Sequence, residues 1–179
     1  MTTKMTSIFP RTPDRNLVLI GLPGVGKSTV GALLSKSYGC QCIDTDQLIE
    51  QAAGANLQQV LEQRGVTVLR ELESEVVSRV QAAGCIIATG GSVVYSDQAM
   101  RHLSEIGFIL YLCARAATVL ERMGDFAGRG IVRLPGQSIH SVIDERLPLY
   151  AHYADAVIDV DDLMPNQVVE AWQKISADK

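Results

Sequence analysis

The segment Gly21-Leu22-Pro23-Gly24-Val25-Gly26-Lys27-Ser28-Thr29 has the residue types and spacing of a phosphate-binding loop, G-x-x-x-x-G-K-[ST]. Glycines free the backbone to turn its N–H groups inward, so Gly21, Gly24, Val25 and Gly26 can line an anion cradle. A helix starting at the end of the loop, through Ser28 and Thr29, adds the positive end of its dipole. Lys27 can reach the β- and γ-phosphates of a nucleotide, and the Ser28 hydroxyl can ligate Mg2+. The loop alone predicts nucleotide handling and leaves the phosphoryl acceptor open.

Other charged and glycine-rich clusters are candidates for the acceptor side. Asp44 and Asp46 stand two apart after a short apolar run. One carboxylate can reach Mg2+ through water and the other a substrate hydroxyl, or either can cap the helix that follows. Arg70 and Glu73 are three apart in a helical stretch and share a face. They form either a plain intrahelical pair or a unit in which Glu73 aims Arg70 at an anion. Gly90-Gly91-Ser92 follows a buried run, where backbone without side chains lets a ligand approach. The stretch from Met123 to Gly136 mixes four glycines with Arg129 and Arg133, directly after Arg122, which suits a lid over phosphates. Arg146, in Glu145-Arg146-Leu147-Pro148-Leu149-Tyr150, has nothing intrinsic to set it apart from a surface arginine.

Alternating strands and helices must present these groups. Leu17-Val18-Leu19-Ile20 reads as a fully buried parallel strand, and Val30, Leu33 and Leu34 as the apolar side of a helix. Strand-like runs follow at Cys40–Ile43, Cys85–Thr89, Phe108–Leu112 and Ala156–Asp159. Between them the pattern predicts a helix from Asp46, a short one capped by Asn56 and stopped near Gly65, and a longer one from Val66 to Ala83. Further helices are expected from Asp97 to Glu105, Ala116 to Arg122, after Ser138, and from Pro165 to Ile175. Five strands alternating with helices mean an α/β three-layer sandwich around a mostly parallel sheet, with ligands beyond the strands' carboxyl ends.

Composition narrows the function classes. The 179 residues suit one domain, expected over residues 16–179, with residues 1–15 as a loose leader and residues 123–136 as the lid. A formal net charge of −4 argues against a general nucleic-acid binder. No apolar run approaches the roughly 20 residues of a membrane span, so no membrane association is expected. No apolar signal segment follows the first basic residues, and the default location is the cytoplasm. Cys40, Cys42, Cys85 and Cys113 lack metal-ligand spacing and read as reduced thiols.

Taken in order, these motifs resemble those of the shikimate kinases from about Asn16 to the terminal helix. The phosphate loop, Asp44-Thr45-Asp46, Arg70 with Glu73, Ala88-Thr89-Gly90-Gly91-Ser92, Arg129 and Arg146-Leu147-Pro148-Leu149-Tyr150 match the family's segments in sequence order. The resemblance implies a P-loop kinase of the nucleoside-monophosphate-kinase type, with a five-stranded parallel sheet in the order 2-3-1-4-5. It implies ATP and Mg2+, phosphorylation of the 3-hydroxyl of shikimate, and a monomer. By carry-over, Asp46 binds and activates the hydroxyl, Asp44 supports Mg2+ beside Ser28, and Lys27 and Arg129 stabilise the moving phosphoryl group. Likewise, Arg122 lies against adenine, Arg70 and Arg146 hold the substrate carboxylate, and the N–H groups of Gly90 and Gly91 approach the ring. The chain departs from the family pattern at Leu69, where phenylalanine is usual, at Ser92, where a third glycine is usual, and at Gly130-Ile131-Val132 after Arg129. Leu69 and Ser92 border the implied acceptor pocket, which leaves a kinase of another small hydroxylated acid, such as gluconate or homoserine, as the alternative.

Overall fold

The computed structural model describes residues 14–124 and 131–177. Five parallel strands form its centre: β1 (Asn16–Ile20), β2 (Cys42–Asp44), β3 (Ile86–Ala88), β4 (Gly107–Cys113) and β5 (Ala156–Asp159). Their spatial order is β2-β3-β1-β4-β5, as expected, with helices on both faces. Central β1 is buried along its whole length, which explains why it lacks polar alternation. Its register, Leu19 beside Ala88 on one side and Leu110 on the other, brings the strands' carboxyl ends to a common edge.

Seven helices connect the strands among the described residues: α1 (Lys27–Tyr38), α2 (Thr45–Ala53), α3 (Leu57–Val77), α4 (Asp97–Ile106), α5 (Ala116–Met123), α6 (Ile139–Tyr153) and α7 (Pro165–Ala177). Local chemistry sets their starts. Asn56 and Gln59 form a reciprocal capping box at α3, Ser96 caps α4, and Ser138 caps α6. The expected break near Gly65 is present as a residue with φ 83° and ψ 173°, non-helical backbone that joins two helical pieces into α3. The second piece ends at Val77 rather than Ala83. After Val77 the chain makes tight turns, with Arg79 N–H donating to Val76 and Val80 N–H to Val77. Val80 keeps the apolar spacing of the helix, and these turns fold it back into the core.

Two apolar clusters result. The large one surrounds the sheet and includes Val168 and Trp172 of α7. A small one, Ile49, Val60 and Leu69, fills the space between α2 and α3, with Val132 packed on it. At the opposite edge of the sheet from the phosphate loop, the buried Asn16 amide donates to Ala82 and Ile106 carbonyls and accepts from Cys85 N–H. Asp14 and Arg15, expected in the loose leader, are also tied down: Gly84 N–H donates to Asp14, and Arg15 to the Gly107 carbonyl. Residues 1–13 lie outside the described chain.

Candidate active site

The phosphate loop leaves β1 at Ile20 and enters α1 at Lys27. Gly21, Gly24 and Gly26 all have positive φ, so these three positions need glycine to keep the loop's shape. The Lys27 ammonium folds under the loop and donates to the Gly21 and Leu22 carbonyls at 2.8 and 2.9 Å. Burial lowers its pKa from 10.5 to about 8, partly offset by Asp46, so it stays a cation at neutral pH. Two of its three N–H donors are engaged and one remains.

Asp44 ends β2 and serves two elements. One carboxylate oxygen caps α2 by accepting from Asp46 N–H at 3.0 Å, and the other accepts from Ser28 Oγ at 3.1 Å. The cap is therefore Asp44. Asp46 sits inside the first turn of α2 and points at Gly90. A Cβ at Gly90 would lie 2.6 Å from both Asp46 Oδ1 and Glu73 Oε1, so two carboxylates converge where only glycine fits. Gly90 N–H does not turn into the pocket as the resemblance implied, because it donates to Thr45 Oγ1 at 3.2 Å. What Gly90 offers a ligand is the space left by its missing side chain.

Glu73 does not pair directly with Arg70. The buried Ser92 hydroxyl donates to Glu73 Oε2 at 2.5 Å, and no ion pair joins Glu73 to Arg70 among the described residues. Sequence spacing favoured the neighbour on the same helix, and a hydroxyl from the β3–α4 connection took its place. Burial raises the Glu73 pKa to about 7 against the pull of the Ser92 hydrogen bond, and burial likewise raises that of Asp46 to about 6. Arg146, which sequence could not distinguish from a surface residue, is 1% exposed. It donates to the Val132 carbonyl at 2.6 Å, and one turn later Tyr150 Oη donates to the Gly91 carbonyl at 2.5 Å.

These groups enclose a cavity of about 160 Å3 lined by Pro23, Asp46, Glu73, Gly90, Gly91, Ser92 and Arg146, with an apolar wall of Ile49, Leu57, Leu61, Leu69 and Val132. Arg70 does not line it. Arg70 faces an adjoining recess with Thr67, Ser74, Tyr95 and Leu134, and Glu73 and Ser92 form the wall common to both spaces. Tyr95, which the sequence reading passed over, lies between the two arginines: its ring centroid is 4.1 Å from the Arg70 guanidinium carbon and 5.2 Å from that of Arg146. A separate groove on the other side of the loop is lined by Gly24, Val25, Gly26, Thr29 and Arg122. Arg122 is held there by the Val160 and Asp161 carbonyls. Arg129 and residues 125–130 of the expected lid lie outside the described residues; beyond them, Ile131 is buried and Val132 meets the cavity. All four cysteines are free thiols, and no His, Cys, Asp and Glu cluster suited to a metal occurs among the described residues.

The sequence model of the shikimate kinase family matches residues 23–176. A shikimate kinase of Thermodesulfovibrio yellowstonii is 34% identical over 159 residues, covering 87% of this chain and 91% of that protein. One of Pseudomonas paraeruginosa is 36% identical over 158 residues, covering 87% and 92%. Among solved structures, a shikimate kinase from Acinetobacter baumannii in complex with shikimate superposes with a TM-score of 0.82 at 25% identity, covering 92% of this chain and 94% of that one.

Proposed function

The chain belongs to the shikimate kinase family, and on that premise we propose that it transfers the γ-phosphoryl group of ATP to the 3-hydroxyl of shikimate, giving shikimate 3-phosphate and ADP. The observation that carries the proposal is the buried pocket in which Asp46 and Arg146 flank the side-chain-free turn at Gly90 and Gly91, beside the Lys27 ammonium. A carboxylate to take a hydroxyl proton, a guanidinium to take an acid group, and a phosphate loop are what such a transfer requires.

The residues at the loop fit a magnesium nucleotide. Ser28 Oγ and Asp44 Oδ2 are hard oxygen donors already paired at 3.1 Å at the start of α1, next to the positive-φ cradle. Mg2+ supplies charge neutralisation on the transferring phosphate. Gly21, Gly24, Val25, Gly26 and Thr29 hold the phosphates, and Arg122 flanks the adenine groove. Asp46 accepts the hydroxyl's hydrogen bond and its proton as the oxygen attacks the γ-phosphorus and the bond to ADP breaks. Lys27 and Arg129 stabilise the oxygens that gain charge, Arg146 from the cavity and Arg70 from the recess beside it hold the carboxylate, and Ser92 borders the ring. In a loose transition state, positioning and charge outweigh base strength. Lys27→Ala and Asp46→Asn should therefore each lower kcat by about 100-fold or more.

The test is ADP release from the purified protein with shikimate, gluconate and homoserine at matched concentrations. Turnover on shikimate alone is expected. Turnover on another acid with shikimate inert would overturn the proposal.

A further inference from the structure

Arg70 is a guanidinium whose expected partner has gone elsewhere. Glu73 is held by Ser92, and Arg70 Nε is buried with no hydrogen-bond partner. What the structure does place against Arg70 is the face of Tyr95, 4.1 Å from centroid to guanidinium carbon. Arg146 reaches the same ring from α6 at 5.2 Å, with its Nε donating to Tyr95 Oη at 3.4 Å.

We propose that Tyr95 is the positioning residue of the acceptor site: its ring is the platform that holds Arg70 and orients Arg146, so that the acceptor's carboxylate meets guanidinium donors already in place. The inference takes from the shikimate kinase reading only the identity of that acid.

The chemistry follows from how a guanidinium can be held. A hydrogen-bonding partner such as glutamate would consume the N–H donors that an anion needs. An aromatic face holds the cation through its quadrupole and leaves the edge donors free. The negative face of the ring also offsets the repulsion between two guanidiniums brought near one another. The platform itself is fixed at both ends. Tyr95 closes a 3-10 turn, Val93–Tyr95, whose two valines are buried in the core and whose last N–H donates to the Ser92 carbonyl at 3.0 Å. At its tip, Oη donates to Glu145 Oε2 at 3.0 Å, and the other oxygen of Glu145 accepts from Gln137 Nε2 at 2.7 Å. Ser92, which separates the two spaces, is in the same turn, so one short segment sets both Glu73 and the arginine pair.

Tyr95→Leu keeps bulk and removes the quadrupole, whereas Tyr95→Phe keeps the ring and removes the hydroxyl. In steady-state kinetics Tyr95→Leu is expected to raise the KM for shikimate about tenfold, ~1.4 kcal/mol of binding. Its kcat and KM for ATP should stay within about twofold, and Tyr95→Phe, which loses the hydroxyl's bonds to Glu145 and Arg146 but keeps the ring against Arg70, should raise the KM for shikimate by about threefold or less. In an Arg70→Ala background the leucine change should add less than about twofold. An unchanged KM in Tyr95→Leu, a phenylalanine variant as impaired as leucine, or full additivity with Arg70→Ala would each overturn the proposal. A readout independent of acceptor and variants is the Arg70 Nε–H resonance of the free protein, identified by its loss in Arg70→Lys. A ring-current shift upfield supports the stacking, and a random-coil position defeats it. Absence of shikimate turnover by the parent protein would defeat the functional proposal and leave this resonance test standing.

Discussion

Glu73 is 4% exposed and hydrogen-bonded to one hydroxyl, so its ionisation takes place in a medium that penalises charge. Its pKa rises from 4.5 to about 7. A carboxyl raised on folding contributes stability that is full below 4.5 and is lost as pH rises through about 7. Glu73→Gln removes this dependence. Relative to the parent, it should therefore gain up to about 3 kcal/mol of stability between pH 5 and pH 8. Urea titrations at the two pH values measure this. An identical difference between variant and parent at both pH values would show that Glu73 does not titrate in this window. The same residue marks a limit of sequence reading. Spacing of three along a helix made Arg70 its neighbour, yet the partner came from another element, which no local pattern encodes.

At the scale of elements, the end of β3 is a tight joint. Gly90→Ala would drive a Cβ into Asp46 Oδ1 and Glu73 Oε1, each 2.6 Å away, and push α2 and α3 outward together. We expect kcat to fall by more than about tenfold and KM for ATP to change little, since the phosphate loop is on a different strand. Steady-state kinetics with ATP and shikimate varied separately decide this. The strands and most helices were legible because apolar runs, capping residues and glycines are local signals. The Asn56 cap and the break at Gly65 stood where the sequence put them. The end of α3 was misjudged because Val80 keeps helical spacing while the chain is already turning. The Val93–Tyr95 turn went unseen because three residues carry no period, and the importance of Tyr95 depends on α3 and α6 meeting over it.

The whole molecule has a large core around the sheet and a small one of Ile49, Val60 and Leu69 between α2 and α3. Ile49 and Leu69 also line the acceptor cavity. So few buried side chains should let α2 and α3 open at lower free energy than β1. Hydrogen exchange should show this order, and shikimate should raise protection in α2 and α3 far more than in β1. Uniform protection across both regions would contradict a separable second core. This division was only half visible in the sequence. The loop motif and buried strands announced the large core, whereas the small one arises where the apolar faces of two helices meet, which no local pattern encodes. Asp44 spans the two regions, with one oxygen on the first turn of α2 and the other on Ser28 of α1. A cation that drew Asp44 or Ser28 toward itself would also tug the turn that carries Asp46. Occupancy on the nucleotide side and on the acceptor side then become thermodynamically linked, each altering the other's affinity by the same factor.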